Sequence, residues 1–268
     1  MEYTLNCNGR LLSLSQPLVM GILNVTPDSF YADSRQQTDH GIATRTHQIL
    51  EEGGRIIDIG ACSTRPGSTP VAEQEELRRL RQALAIVRRE APDAIVSVDT
   101  FRPTVARMVV EEYGADIIND VGTESSLMFR MVSRLRVPYI YMSRKATMKE
   151  VMLDCAEAVD TLRSMGQKDI VLDPGFGFGK TLDENYAIMR QLERMQALAL
   201  PVLVGVSRKS MIWRLLDTDP AEALNGTTVL NTLALMKGAS ILRVHDVREA
   251  VECCRLMAQL WPKTAIDK

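Results

Sequence analysis

Apolar residues along this chain gather into eight short runs, and each run gives way to polar residues as it ends. The runs occupy residues 18–23, 55–59, 94–98, 116–118, 138–142, 170–172, 201–206 and 241–244. Between them, apolar residues recur every three or four positions, the period of an amphipathic helix. The clearest such stretch is 72–90, where Leu77, Leu80, Leu84 and Val87 share one face. Further helices are predicted over 41–52, 104–112, 126–135, 148–165 and 183–197, then in segments up to 236 and from strand eight to about 260. Pro103 suits the first position of its helix. Ile170-Val171-Leu172 and Val202-Leu203-Val204 are apolar throughout, as strands buried on both faces of a parallel sheet are. Residues 3–14 alternate weakly about Asn8-Gly9, which predicts a hairpin.

Eight strand-then-helix units predict an α/β protein, a (β/α)8 TIM barrel forming one domain over 1–268. Its short N-terminal β-hairpin would cap the bottom of the barrel. An open doubly wound sheet is the alternative, but such sheets usually have fewer strands. Barrel active sites lie where the strands end, so the residues that close each run carry the functional information.

Length, composition and charge narrow the function without naming it. The 268 residues approach the roughly 250 typical of such a barrel. A net charge of -2 argues against a nucleic-acid or anionic-membrane partner. No apolar run nears the roughly 18 residues that span a bilayer, and no signal peptide is evident at Met1-Glu2-Tyr3-Thr4. Five cysteines, an odd number without zinc-site spacing, fit a reducing cytoplasm.

The strand ends hold a distinctive set of side chains. Asp99, Asn119 and Asp173 close runs three, four and six and are expected to point into the barrel mouth. Two carboxylates beside an amide suit a ligand rich in N–H donors, such as an amino-oxo heterocycle, although each could instead cap a helix. Lys209 follows strand seven, Arg243 and His245 close strand eight, and Arg65 follows strand two. Phosphate commonly binds beside strands seven and eight in this fold. Arg208 is expected in a surface salt bridge, and His40 and His47 in solvent. The run Gly175-Phe176-Gly177-Phe178-Gly179-Lys180-Thr181 is not a P-loop, because Pro174 stands where the first glycine belongs. It reads as a loop whose glycines allow close approach to a ligand, with Phe178 as an aromatic wall or simple packing. Two long polar loops, after Asn24 and after Cys62, have the length of lids. No transition-metal cluster is evident; Asn24 could serve a Mg²⁺ held mainly by substrate phosphates. No Ser-His-Asp assembly is evident. The residues alone thus describe a barrel enzyme with an acid-lined polar pocket beside a cationic anion site.

At these positions the chain resembles the dihydropteroate synthase family of the folate pathway. The resemblance is carried by Met20-Gly21-Ile22-Leu23-Asn24-Val25-Thr26-Pro27-Asp28-Ser29-Phe30, Ser63-Thr64-Arg65-Pro66-Gly67, Val98-Asp99-Thr100, Ile118-Asn119-Asp120, Asp173-Pro174-Gly175-Phe176-Gly177-Phe178-Gly179, Ser207-Arg208-Lys209-Ser210 and Arg243-Val244-His245-Asp246. These motifs run in order across nearly the whole chain. The resemblance implies a transferase that condenses dihydropterin pyrophosphate with p-aminobenzoate, giving dihydropteroate and pyrophosphate. It implies that Asp99, Asn119, Met142, Asp173 and Lys209 bind the pterin and that Arg243 stacks on its face. Asn24, Arg243 and His245 would hold the pyrophosphate with Mg²⁺. Thr64, Arg65, Phe178 and Ser207 would serve the p-aminobenzoate side, with Arg65, Lys209, Arg243 and His245 as the catalytic set. It also implies a homodimer paired through outer helices.

Three departures from the family pattern stand out. Ala61-Cys62 replaces the usual Gly-Glu, Tyr141 replaces the histidine of Met-His-Met, and Tyr31-Ala32-Asp33-Ser34 replaces Asp-Gly-Gly after Ser-Phe. They bear on loop geometry and aminobenzoate contacts more than on the pterin pocket. Two other readings share the barrel: a pterin-dependent methyltransferase domain, which would not need the first two loops, and a non-catalytic pterin-binding paralogue.

Overall fold

The structure, a computed structural model, describes residues 3–26, 35–62, 71–122 and 126–260. It opens with strands β1 (Thr4–Cys7) and β2 (Arg10–Ser13), paired antiparallel. Asn8 and Gly9 turn the hairpin with φ of 52° and 84°, the left-handed pair that a two-residue turn requires.

Strands and helices then alternate. The order is β3 (Leu18–Asn24), α1 (Arg35–Glu51), β4 (Ile56–Gly60), α2 (Glu73–Glu90), β5 (Ile95–Asp99), α3 (Pro103–Tyr113), β6 (Ile117–Asp120), α4 (Ser126–Leu135) and β7 (Tyr139–Met142). It continues through α5 (Met148–Ser164), β8 (Ile170–Asp173), α6 (Leu182–Arg190), β9 (Leu203–Val204), α7 (Ser210–Trp213), α8 (Leu224–Met236), β10 (Ile241–Val244) and α9 (Val247–Leu260). The parallel sheet runs β8-β7-β6-β5-β4-β3-β10-β9. A bridge between Leu172 and Val202, with the Leu172 N–H donating to the Pro201 carbonyl at 2.9 Å, brings its two ends together. The predicted (β/α)8 barrel with its N-terminal hairpin is therefore the observed fold.

Side chains in a strand alternate between faces, and here the alternation separates two cores. One lies between strands and helices. The other lies inside the barrel, where Met20, Ile56, Ile117, Ile140, Val171, Leu203 and Ile241 meet Leu5, Cys7, Leu12 and Leu14 of the hairpin. The hairpin plugs the N-terminal end, as expected. Asp116 ties it down, accepting from Arg10 Nη2 at 2.9 Å, Asn8 Nδ2 at 3.2 Å, Arg88 Nη2 at 3.2 Å and the Val96 N–H at 2.9 Å. Two residues above this apolar floor, the same inward positions carry Asp58, Asn119, Met142, Asp173 and Arg243. The polar site is built one pleat above the plug.

The elements differ from expectation in three places. Most barrel strands run one or two residues further, so Asp99 and Asp173 close their strands and Asn119 lies one residue before the end of its own, at the strand ends where they were expected. The predicted helix over 183–197 breaks at Gln191, and Leu192–Leu198 continues as a 3-10 helix. Its three-residue period brings Leu192 and Met195 onto one buried side. Strand seven shortens to two residues, because the chain turns after it, with the Lys209 N–H donating to the Val206 carbonyl at 3.1 Å.

The plug generates a prediction. Leu5 is fully buried in it, whereas Leu11 on the same hairpin is 77 % exposed. Urea unfolding should show Leu5→Ala losing about 2–5 kcal/mol of stability, and Leu11→Ala changing it by less than about 0.5 kcal/mol.

Candidate active site

The deepest polar group is an ionic cluster around Arg243. From β10 its Nε donates to Asp58 Oδ2 at 2.7 Å, and its Nη2 donates to Asp99 Oδ2 at 3.0 Å. Asn119 Nδ2 donates to the same Asp58 oxygen at 3.2 Å. Asp58 is fully buried, and Arg243 keeps 18 % of its side chain exposed toward the mouth. Burial pushes the Asp99 carboxyl above the usual carboxylate range, with Arg243 opposing that shift. Asn24 stands beside Asp99: a Cβ added at Gly60 would meet Asn24 Oδ1 at 3.3 Å and Asp99 Cβ at 3.7 Å. Gly60 thus keeps open the space that these two side chains border.

A second group surrounds the glycine-rich turn after β8. Asp173 Oδ1 accepts the Gly175 N–H at 2.7 Å. Burial raises the Asp173 carboxyl, against the pull of Lys209. Burial likewise lowers the Lys209 ammonium to about 8, with Asp173 opposing the shift. Lys209 donates to the Phe176 carbonyl, and its Nζ lies 4.5 Å from the centre of the Phe178 ring. The Arg144 guanidinium lies 5.7 Å from that ring and donates to the Val121 carbonyl at 2.6 Å. Lys180 Nζ, lowered by burial to about 8, donates to the carbonyls of Ser143 at 3.2 Å and Gly175 at 2.9 Å. Gly175 has a φ of 71°, and a Cβ there would sit 2.1 Å from the Ser143 carbonyl oxygen. No other residue allows this turn to approach the end of β7 so closely.

A third group joins the ends of the seventh and eighth barrel strands. Ser207 Oγ and His245 Nδ1 lie 3.0 Å apart, and the His245 N–H donates to Ser207 Oγ at 3.1 Å. Arg45, from α1, donates to the His245 carbonyl at 2.5 Å and to the Ile22 carbonyl at 3.2 Å. Arg208 turns outward and forms a two-pronged pair with Asp246, both contacts at 2.9 Å. That is the salt bridge expected of it.

Of the residues singled out from sequence, Asp99, Asn119 and Arg243 join one hydrogen-bonded network. Asp173, Lys209 and Phe178 form the second group, and Ser207 and His245 the third. Met142 faces the barrel interior beside Gly175. Thr64 and Arg65 lie outside the described residues, as do 27–34 and 63–70. The residues flanking 63–70 share one anchor: Arg102 lies 3.8 Å from Cys62 Sγ and donates to the Val71 carbonyl at 2.6 Å. Arg102 is paired in turn with the buried Glu76, which also accepts from Thr100 Oγ1 at 2.7 Å. Burial and Glu76 push the Cys62 thiol up to about 12, which makes it a poor nucleophile. Tyr141 faces the helices rather than the pocket, and its hydroxyl donates to Asp154 at 3.2 Å.

Sequence reading missed Asp58, Arg144 and Lys180. Asp58 had a usable signal, a lone carboxylate inside Ile56-Ile57-Asp58-Ile59-Gly60. Such a residue must find partners inside the barrel. Arg144 and Lys180 had none, because their approach depends on the Gly175 turn.

Comparison with known proteins agrees with this geometry. A family model described as "Pterin binding enzyme" matches residues 20–245. The dihydropteroate synthase of Escherichia coli strain K12 is 37% identical over 265 residues, covering 93% of each chain. That of Bacillus subtilis strain 168 is 36% identical over 259 residues, covering 93% of this chain and 90% of its own. A structure of Xanthomonas albilineans dihydropteroate synthase with 4-aminobenzoic acid superposes with a TM-score of 0.90 at 35% identity, covering 98% of this chain and 99% of that one. The same enzyme in complex with 7,8-dihydropteroate gives 0.89 at 34% identity, covering 97% and 99%. The barrel, the polar cluster on its floor and these relatives together place the chain in the dihydropteroate synthase family of pterin-binding transferases.

Proposed function

We propose that this protein, a single domain over 1–268, condenses dihydropterin pyrophosphate with p-aminobenzoate to give dihydropteroate and pyrophosphate. The observation that carries the reading is the floor cluster. Asp99 and Asn119 there, with Asp173 nearby, offer acceptors to a donor-rich heterocycle, and Arg243 is held beside them by Asp58 and Asp99. Arg243 stacks on the pterin face and Lys209 binds its edge. Asn24, Arg243 and His245 hold the pyrophosphate at the mouth. Phe178 and Ser207, with Thr64 and Arg65, receive the p-aminobenzoate.

The mechanism needs no protein nucleophile. The C–O bond to pyrophosphate breaks first, and the bond electrons leave with the phosphate oxygen. The remaining cationic pterin is stabilised by the nearby carboxylates and shielded from water. The aniline nitrogen then attacks the exocyclic carbon and loses a proton. Mg²⁺ fits as a cofactor: a hard ion held largely by substrate phosphates needs few protein ligands. Among the described residues no three His, Cys, Asp or Glu side chains converge on an ion site. Asn24 would hold such an ion through its amide oxygen, and the ion would supply positive charge beside the pyrophosphate. We also place the protein in the cytoplasm, as its free thiols suggest. We read it as a homodimer through its outer helices. Val229 and Met236 of α8 and Leu256 and Leu260 of α9 are more than half exposed, which supports that reading.

Purified protein given both substrates and Mg²⁺ should release dihydropteroate and pyrophosphate in equal amounts. Tight pterin binding without turnover would instead make it a binding module. Lys209→Ala and Asp99→Asn should each weaken pterin pyrophosphate binding by about 10–100-fold in calorimetry. Arg65→Ala should slow turnover with less than about a threefold change in that affinity, about 0.6 kcal/mol at most.

Lys209 also sets a pH dependence. With its ammonium lowered to about 8, it is cationic below that pH and neutral above it. Affinity for the anionic substrate should fall as pH rises from 7 to 9, and Lys209→Met should flatten most of that fall. Sedimentation should find a dimer, and Val229→Glu combined with Met236→Glu should yield monomers.

A further inference from the structure

We propose that Ser207 is a positioning residue for His245. Its hydroxyl donates to Nδ1 and so keeps the ring proton on Nε2, which makes the neutral imidazole a hydrogen-bond donor to the pyrophosphate rather than a base. This deepens the reading above, in which His245 holds the pyrophosphate, and rests on it. With one ring nitrogen protonated and the other engaged, His245 is not the group that takes the proton from the aniline nitrogen.

A serine hydroxyl has one hydrogen to donate and two lone pairs with which to accept. A neutral imidazole carries its proton on one nitrogen and accepts on the other. Ser207 Oγ accepts the His245 N–H at 3.1 Å and lies 3.0 Å from His245 Nδ1. Ser207 is 5 % exposed, and among the described residues these two contacts are the only hydrogen bonds of its Oγ. If Nδ1 carried the proton and donated it, Ser207 would accept twice from His245, and its own hydrogen would be buried without an acceptor, which is costly. With the Ser207 hydrogen directed at Nδ1, both groups are satisfied and the ring proton sits on Nε2. Ionised pyrophosphate only accepts hydrogen bonds, so the protonated nitrogen is the one that suits it.

The backbone around this pair is held from several directions. Ser207 meets His245, and the next residue on each side, Arg208, meets Asp246 through both prongs of its guanidinium at 2.9 Å. Arg208 has a φ of 53°, a left-handed conformation that a residue other than glycine keeps only where its surroundings hold it. Those surroundings are Thr227 Oγ1, which accepts the Arg208 N–H at 3.0 Å, and the carbonyls of Pro220 at 2.8 Å and Ala221, which accept from its guanidinium. On the other strand end, Arg45 donates to the His245 carbonyl at 2.5 Å. With the His245 N–H and carbonyl both engaged, the contact between Ser207 Oγ and Nδ1 fixes the ring. A donor set in place before the anion arrives needs no reorganisation as charge develops on the leaving oxygen. The Ser207 hydrogen is then not available to the carboxylate of p-aminobenzoate, which Ser207 serves by packing and backbone contact.

The chain has three histidines, so NMR of protein labelled with heavy nitrogen in its histidine rings can resolve His245, and His245→Gln identifies its signals. At about pH 8, above the usual imidazole range, the natural protein should show His245 with its proton on Nε2, favoured by about tenfold or more over Nδ1. A dominant Nδ1–H form, or a ring protonated on both nitrogens at that pH, would overturn the proposal, and neither result depends on a variant folding. Ser207→Ala should lower the ratio at least about threefold; an unchanged ratio would show that Ser207 does not set the tautomer. Calorimetry with inorganic pyrophosphate supplies a second arm. Ser207→Ala should weaken binding about fivefold when His245 is present and less than about twofold in the His245→Ala background. Equal losses in both backgrounds would mean that Ser207 acts without His245, and would also overturn the proposal. The tautomer is read without substrate. A protein that shows it yet forms no dihydropteroate fails the synthase reading alone, and one that turns over with the other tautomer fails this inference alone.

Discussion

A guanidinium inside a barrel is tolerable only if its charge is met at close range, and the pairing of Arg243 with Asp58 and Asp99 meets that condition. The rest of the site is arranged around this requirement. Two carboxylates so near each other would repel without the cation between them. The cation would not remain in the barrel without the carboxylates. Asn119 then joins the same carboxylate oxygen, so three strands besides β10 contribute to one ionic unit. The cluster is also incomplete by design: Asp58 Oδ1 and Asn119 Oδ1 have no hydrogen bond, and Arg243 is partly open to the mouth. The exposed part of Arg243 leaves polar capacity toward the mouth, as a binding floor does and a purely structural salt bridge need not.

The floor depends on the hairpin below it. Leu5, Cys7, Leu12 and Leu14 fill the N-terminal end of the barrel with apolar side chains. That layer keeps water from the ionic cluster and sharpens the charge interactions above it. The same low-polarity surroundings pull Lys209 down to about 8 while raising Asp173, so the site holds charges that are easily moved by a bound anion.

Much of this was legible from the order of residues, and the reasons differ by element. Parallel strands buried on both faces leave unbroken apolar runs, so all eight barrel strands fell within two residues of their observed bounds. Asp99, Asn119 and Asp173 were visible because each ends such a run. Asp58 was obscured by the same rule. A strand buried on both sides has no alternation to show which face a lone carboxylate takes, and only the barrel's curvature makes that face a pocket. The grouping of Arg144 and Lys180 around Phe178 and Gly175 was invisible for another reason: it arises from a left-handed backbone turn, not from spacing. Tyr141 is the opposite case. It is a conspicuous departure from the family pattern, yet one residue of pleat sends it into the helix layer, where Phe129 and Asp154 receive it.

The plugged end has one more consequence, and it concerns traffic. Among the described residues the hairpin closes the N-terminal end of the barrel, so the interior is a well that opens at the other end. In a well closed below, a molecule seated near the rim would detain one resting beneath it.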